Sequence, residues 1–296
     1  MKNLSQRKSI GLFLSSMALI FTLTGCTNNP STSNSKDDTP DEYGVLESDH
    51  GGRLQVKLHN KMLETHTTYV PYYRVNSYIG QGLTDVDATQ SNNIYFYTGK
   101  KVSKSTVGTR EHVWACANSN NMWTHNSSDG SHYVDGSGYR GGGSDLYHIR
   151  PCDGSINTFR GNGKFYEFSE GEKTYTHSDG GPYVLTTDRE GDYATKVEPD
   201  DHFKGDIARI LMYIYVHYNS IGLSNNYTGR LKLTDVWNSG YSETEIQKLM
   251  VKWNELDPVD ETEKIRNDNV EKIQGNRNPF VDHPEYMARA FDIGIE

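Results

Sequence analysis

The residues whose chemistry packing alone does not explain lie in two short stretches. One is Arg110-Glu111-His112-Val113-Trp114; the other is GSDLYHIRPCDGSINTFRGN, from Gly143 to Asn162. The second holds His148, Arg150, Asn157, Arg160 and Asn162 among almost no apolar residues. Glu111 brings a carboxylate and Asn157 a neutral amide oxygen, hard donors suited to a Mg2+ ion that keeps several waters. His112 brings an imidazole that exchanges protons near neutral pH. Arg150 and Arg160 bring forked donors that match phosphate. Neighbouring side chains of a strand face opposite ways, so Glu111 and His112 reach one site only where the strand ends. The alternative is a surface Glu beside a core or surface His, followed by a loop of turn formers. That account covers the Gly, Asn and Asp but leaves the histidine and the two arginines without a reason. A zinc site is a rival, because Cys116, Cys152, His112, His125, His132 and His148 lie close in sequence; the tight CxxC or HxxxH pairs typical of structural zinc are missing.

The elements around these stretches follow from periodicity and capping. Leu54, Leu58 and Met62 recur at helical spacing and predict a helix over Arg53 to His66. Ile94-Tyr95-Phe96-Tyr97 reads as a short aromatic strand, and Val107 to Trp114 as another. Asn118 to Gly143 is a long stretch of Asn, Ser, Gly and Asp, a length that is usually functional or disordered. Asp206 to Tyr218 is apolar nearly all round and predicts a buried helix. Ser242-Glu243-Thr244-Glu245 is a capping box for a helix with Ile246, Leu249, Met250, Trp253 and Leu256 on one face, ended by Asp257-Pro258. Asp260 to Gln274 predicts a further helix stopped by Gly275, and Pro284 starts a short last one. There is no internal repeat. The expected class is α+β, a small mixed centre flanked by N- and C-terminal helices.

The start of the chain has another purpose. Lys2, Arg7 and Lys8 precede an apolar run, Ile10 to Leu23, too short for an ordinary transmembrane helix. Residues 1–25 therefore read as a signal peptide. The closing LTGC resembles a bacterial lipobox, with Cys26 as the lipidated first residue of the mature chain; a plain signal peptide with an incidental Cys26 is the other reading. Residues 26–44 read as a flexible tether and 45–296 as the working domain, outside the cytoplasm and either lipid-anchored or secreted.

The formal net charge of -9 argues at first against a polyanionic partner. Its distribution matters more. Lys36 to His50 carries six acids against one lysine, whereas Thr98 to Lys164 carries eight bases against five acids. The polar middle is locally basic, which permits nucleic acid without requiring it.

REHVW, SDLYHIRP and DGSINTFRGN together resemble the three-part signature of the bacterial endonuclease I family, secreted nucleases of the ββα-metal (His-Me finger) class. KGDIAR, LMVKWNELDPVDETEKIRND and IQGNRNPFVDHPEY resemble that family's helical part, so the likeness runs from about Leu54 to Phe291. The resemblance implies a ββα-metal centre with His112 as general base and Glu111 and Asn157 as ligands of Mg2+, with Mn2+ or Ca2+ as alternatives. Beside them, Arg150 or Arg160 is expected on the phosphate, and Arg110, His148 and Asn162 along the nucleic acid. Where the family often has a first His, this chain has Tyr147; where Pro commonly follows EHVW, it has Ala115. The implied reaction is hydrolysis of phosphodiester bonds in DNA, with RNA left open, by a monomer that reads few bases. A surface lipoprotein that binds a polyanion or glycan without catalysis is the competing function, and the 20 tyrosines would suit it. Shared ligation by Glu111 and Asn157 would bring their flanking backbones close, making Cys116 and Cys152 candidates for a disulfide in an oxidising compartment.

Overall fold

The computed structural model describes residues 39–119, 124–125, 133–134, 142–190, 193–219 and 231–294. The expected signal segment, Cys26, the tether up to Asp38 and most of Asn118 to Gly143 lie outside the described residues. Chain order begins with α1 (Gly51–Thr65), where Leu54, Leu58 and Met62 are buried along one face as their spacing requires. Pro71 caps α2 (Tyr72–Gly80), a helix the apolar pattern did not announce. The hairpin of β1 (Asn92–Ile94) and β2 (Lys101–Ser103) follows. The expected aromatic strand belongs to this hairpin only through Ile94. Tyr95, Phe96 and Tyr97 leave the ladder and are buried, with Tyr97 at φ 68°.

The centre comprises β3 (Thr109–His112), β6 (Ile149–Cys152) and α3 (Gly154–Arg160). Between the two strands, β4 (Thr124–His125) and β5 (Tyr133–Val134) form an antiparallel pair. Strands β3 and β6 run antiparallel, with Thr109 opposite Cys152, Glu111 opposite Arg150 and His112 opposite Ile149. Gly108, at φ 67°, admits the chain to β3; any side chain there would strike the Cys152 carbonyl oxygen. Asp153 caps α3 by accepting the Ser155 N–H at 2.9 Å.

A four-stranded sheet, ordered β7 (Lys164–Phe165), β10 (Lys196–Pro199), β9 (Leu185–Thr187), β8 (Tyr175–His177), backs the far end of α3. Sequence reading did not find it, because its strands are two to four residues long and rich in Thr, Lys and Tyr. The helical part is α4 (Asp201–Tyr218), α5 (Glu243–Leu256), α6 (Glu261–Gln274), α7 (Pro279–Asp282) and α8 (Tyr286–Ala290). Helix α4 is buried on nearly all sides, as its composition predicts, and the capping box of α5 forms. The chain is α+β, with helices before and after the mixed centre.

Two buried ion-pair groups tie these layers together. Asp85 receives both Arg150 and Arg266, and Glu263 receives Arg209 from α4. The compact unit begins at Thr39, earlier than the expected boundary. Tyr43 is buried with its hydroxyl on Asp282, and Asp41 accepts the Tyr286 hydroxyl, so residues 39–44 belong to the fold rather than to a tether. Among the described residues no helix is long and apolar enough to cross a membrane.

Candidate active site

Strand β3 ends at His112 and carries Arg110, Glu111 and His112 in succession. The His112 ring stacks on Tyr72 with centroids 5.6 Å apart, and its Nε2 lies 2.8 Å from the Gly143 carbonyl oxygen. A carbonyl can only accept, so Nε2 carries the ring proton and Nδ1 is the basic nitrogen of the neutral ring. Arg110, two residues back on the same face, lays its guanidinium 3.7 Å over the Tyr72 ring and donates to the Tyr72 carbonyl at 3.0 Å. It is half-buried, leaving part of its fork for an anion.

Glu111 faces the opposite way and is 2% exposed. Its Oε1 accepts the Tyr97 hydroxyl at 2.8 Å and lies 3.1 Å from Arg160 Nε. Burial pushes the Glu111 pKa up, while the Arg160 charge and the Tyr97 hydrogen bond pull it down. Oε2 has no hydrogen-bond partner among the described residues. Asn157, one turn into α3, donates through Nδ2 to Thr109 Oγ1 at 3.0 Å and to the Arg110 carbonyl at 3.3 Å. These bonds dock the amide beside the peptide that enters Glu111. They consume its donor end, leaving Oδ1 unbonded among the described residues. One carboxylate oxygen and one amide oxygen remain unspent on adjoining segments. Both are hard donors, so the residues present fit a divalent cation of the Mg2+ type.

The other expected groups have different places. Arg160 is 1% exposed; besides Glu111 it meets the Val113 and Gly161 carbonyls, at 2.7 and 2.8 Å. It is the internal counter-charge of Glu111 and has no face for a substrate phosphate. Arg150 is likewise buried, paired with Asp85, 3.7 Å from Asp206 and 4.2 Å over the Phe96 ring. Both arginines therefore drop out as phosphate contacts, and Arg110 alone of the three reaches the surface. His148, fully buried, is not in reach of nucleic acid either. Its Nδ1 donates to the Gly142 carbonyl at 2.8 Å and its Nε2 accepts the Trp114 N–H at 2.8 Å. Burial, then the neighbouring His112, lower its pKa to about 3, so it stays neutral. His148 thus clamps the glycine turn that presents the Gly143 carbonyl to His112. Asn162 is exposed just past α3, its carbonyl accepting Asn118 Nδ2 at 3.2 Å.

Cys116 and Cys152 are not bridged. Antiparallel pairing explains why: Cys152 lies opposite Thr109 at the start of β3, whereas Cys116 follows its end. The two cysteines flank opposite ends of the strand pair. Cys152 Sγ instead approaches the Phe96 carbonyl at 3.8 Å.

Sequence reading missed one further set of potential metal ligands. His66, Asp145 and His217, all buried, bring ligand atoms within 4.8 Å of one another. Asp145 already accepts Tyr213 Oη, Tyr218 Oη, the Tyr147 N–H and Gln274 Nε2, at 2.8, 2.6, 2.7 and 3.1 Å. His66 Nδ1 and His217 Nε2 share one proton across 2.9 Å. With the four lone-pair sites of the carboxylate filled, this cluster is a polar staple between α1, α4 and the segment before β6. Tyr147, where the family often has His, sends its hydroxyl to the Asn267 and Asn276 carbonyls. The Tyr147 side chain lies in this packing and not on β3.

Comparison with known proteins agrees with the geometry. A profile described as Endonuclease I matches residues 51–285. An extracellular ribonuclease of Bacillus amyloliquefaciens is 34% identical over 287 residues, 92% of this chain and 87% of that protein. One from Bacillus subtilis (strain 168) is 34% identical over 258 residues, 84% of this chain and 77% of that protein. A protein called Endonuclease-1 from Buchnera aphidicola subsp. Baizongia pistaciae is 28% identical over 138 residues, 47% of this chain and 46% of its own length. With the family profile covering most of the chain and the ββα centre in place, this chain belongs to the Endonuclease I family.

Proposed function

We propose that this protein is an extracellular endonuclease that hydrolyses phosphodiester bonds of DNA and RNA, using His112 as general base and a divalent cation on Glu111 and Asn157. The observation that carries the reading is the Nε2 hydrogen bond of His112 to Gly143, which makes Nδ1 the basic nitrogen of the ring at the end of the strand bearing Glu111. A phosphodiester anion repels hydroxide and has a poor leaving group, so attack needs proton removal at one end and charge neutralisation at the other. His112 Nδ1 takes the proton of the attacking water, and Gly143, held by His148, keeps the ring in register as it becomes charged. Tyr72 supports one face of the ring. Arg110 offers its remaining donors to a non-bridging phosphate oxygen. Mg2+, with Mn2+ or Ca2+ as alternatives, would supply Lewis acidity for the phosphate and the departing oxygen. Arg160 balances the buried Glu111 charge and Asn157 stays docked on β3, so neither ligand must reorganise when a cation arrives.

Inclusion of RNA is supported by the names of the two Bacillus relatives, both extracellular ribonucleases. The LTGC motif supports a lipid on Cys26 that holds the enzyme at the outer membrane face. Incubating the purified chain with plasmid DNA and with RNA, in Mg2+ or in chelator, tests the catalytic reading. Cleavage that needs the cation and disappears in His112→Ala is expected. Full cleavage in excess chelator, or binding without cleavage under any divalent cation, overturns it. Labelling with a radioactive fatty acid, lost in Cys26→Ala, tests the anchor.

A further inference from the structure

Tyr193 is 69% exposed, an unusual place for a large ring with no hydrogen bond among the described residues. It is held at the end of α3: a side chain on Gly161 would meet the Tyr193 ring at 2.8 Å, and Gly161 itself stands at φ 50°. Only glycine leaves room there for the ring to lie across the helix end. The Gly161 N–H donates to the Asn157 carbonyl at 2.9 Å. Gly161, against which the ring lies, is thus one helical turn along α3 from Asn157, the proposed cation ligand.

Beside the ring is an open groove of about 450 Å³, lined by Asn162, Lys164, Tyr193, Thr195, Asn238 and Ser239. A volume of this order is typical of small-molecule sites. The Asn162 side-chain amide is unbonded among the described residues, and Asn238 spends only Oδ1, on the Gly240 N–H at 3.1 Å. Each amide keeps hydrogen-bonding capacity of the kind that base edges satisfy. Lys164 is pinned by the Thr234 carbonyl at 3.0 Å and adds positive charge at the floor.

We propose that this groove is a subsite for one unpaired nucleobase, stacked on Tyr193 and met at its edge by Asn162 and Asn238, next to the bond that is cut. The proposal rests on the nuclease reading of the neighbouring centre. A base inside a duplex has both faces covered by its neighbours, so the site favours unpaired stretches over duplex, whether in RNA or in DNA. Base-on-aromatic stacking tolerates any base, which accords with weak sequence preference.

The test compares the wild-type chain with Tyr193→Ala and Tyr193→Trp on a single-stranded RNA oligonucleotide, its DNA counterpart, a duplex and bis(p-nitrophenyl) phosphate, a diester without a base. In parallel, fluorescence anisotropy measures binding of the labelled single strands by His112→Ala and by His112→Ala/Tyr193→Ala. Tyr193→Ala should raise KM for single strands about tenfold with kcat within about threefold, and weaken binding alike; Tyr193→Trp should restore both. The single-strand to small-diester ratio should fall by the same factor. An unchanged KM and affinity for single strands overturns the subsite. An equal loss on the small diester also overturns it, because the ring would then be acting on the centre itself. A wild-type chain that cuts nothing would sink the nuclease reading, while the anisotropy arm would still decide the subsite. RNA and DNA arms that differ identify which sugar the groove prefers.

Discussion

Arg160 and Glu111 lie against each other inside the protein, with Nε 3.1 Å from Oε1 and both side chains at most 2% exposed. One comes from the last turn of α3 and the other from the middle of β3, so the pair bolts helix to strand as well as cancelling charge. Removing one partner strands the other. Arg160→Met should destabilise the fold by about 3–5 kcal/mol in urea unfolding. Adding Glu111→Gln to Arg160→Met should recover part of that loss while leaving the chain inactive. Equal midpoints for Arg160→Met and the double variant would show that a stranded Glu111 charge is not what destabilises Arg160→Met.

His112 is half-buried at the end of β3, with its Nε2 on the Gly143 carbonyl and its ring beside those of Tyr72 and His148. His112→Ala should therefore fold normally and lose about two to four orders of magnitude in rate. A folded His112→Ala protein with near wild-type turnover would exclude it as the base. Asn157→Ala should raise the Mg2+ concentration needed for half-maximal activity, read from a metal titration at saturating substrate.

Arg110 and Arg150 were alike in sequence and should now behave differently. Arg110→Ala should cut kcat/KM by roughly tenfold or more, the loss of one charge-assisted phosphate contact, with little change in unfolding midpoint. Arg150→Ala empties one side of the buried Asp85 cluster and should cost about 3–5 kcal/mol of stability. The reverse pattern in paired activity and denaturation assays would return Arg150 to the substrate.

His148 is neutral when folded, with a pKa of about 3, against about 6.5 when unfolded. A depressed histidine pKa means that, as pH falls below about 6.5, the unfolded chain gains a proton that the folded chain refuses. Its contribution is complete above that pH. It is lost on acidification at up to about 1.4 kcal/mol per pH unit, down to about pH 3. Asparagine can donate and accept without titrating, so His148→Asn should show a shallower loss of stability between about pH 6.5 and pH 4. Identical slopes for the two proteins would refute the clamp as a neutral imidazole.

Thiol counting offers a simple check on the covalent structure. The denatured, unreduced domain should show both Cys116 and Cys152 as free thiols, and in the native state the buried Cys152 should resist alkylation. Reductant should leave the unfolding midpoint unchanged.

Residue types told more about the centre than about which groups face outward. Periodicity located α1, α4 and α5 because each buries a stripe of large apolar side chains, whereas α6 was marked by its Gly275 stop and buries mostly polar groups. REHVW marked the strand that carries Glu111 and His112 because its polar chemistry is concentrated in neighbouring residues. What stayed hidden was partnership across distance. Arg150 looks like an anion receptor until Asp85, far away in sequence, is brought onto it. Arg160 does so until Glu111 is, and His148 until the Trp114 N–H and Gly142 carbonyl enclose it. The disulfide expectation failed for a related reason: closeness to shared ligands says nothing about which end of an antiparallel pair a residue occupies. The four-stranded sheet left little trace because its short polar strands lack a hydrophobic alternation.

Strand β3 meets its partners only after the chain has doubled back through β6 and α3. The carbonyl that sets the tautomer of His112, the guanidinium that balances Glu111 and the amide of the proposed ligand pair all arrive from later segments. An extended polypeptide therefore carries every group and no centre. A cell exporting this chain unfolded would keep its own nucleic acids safe by geometry alone, since the blade is assembled only where the chain finally folds.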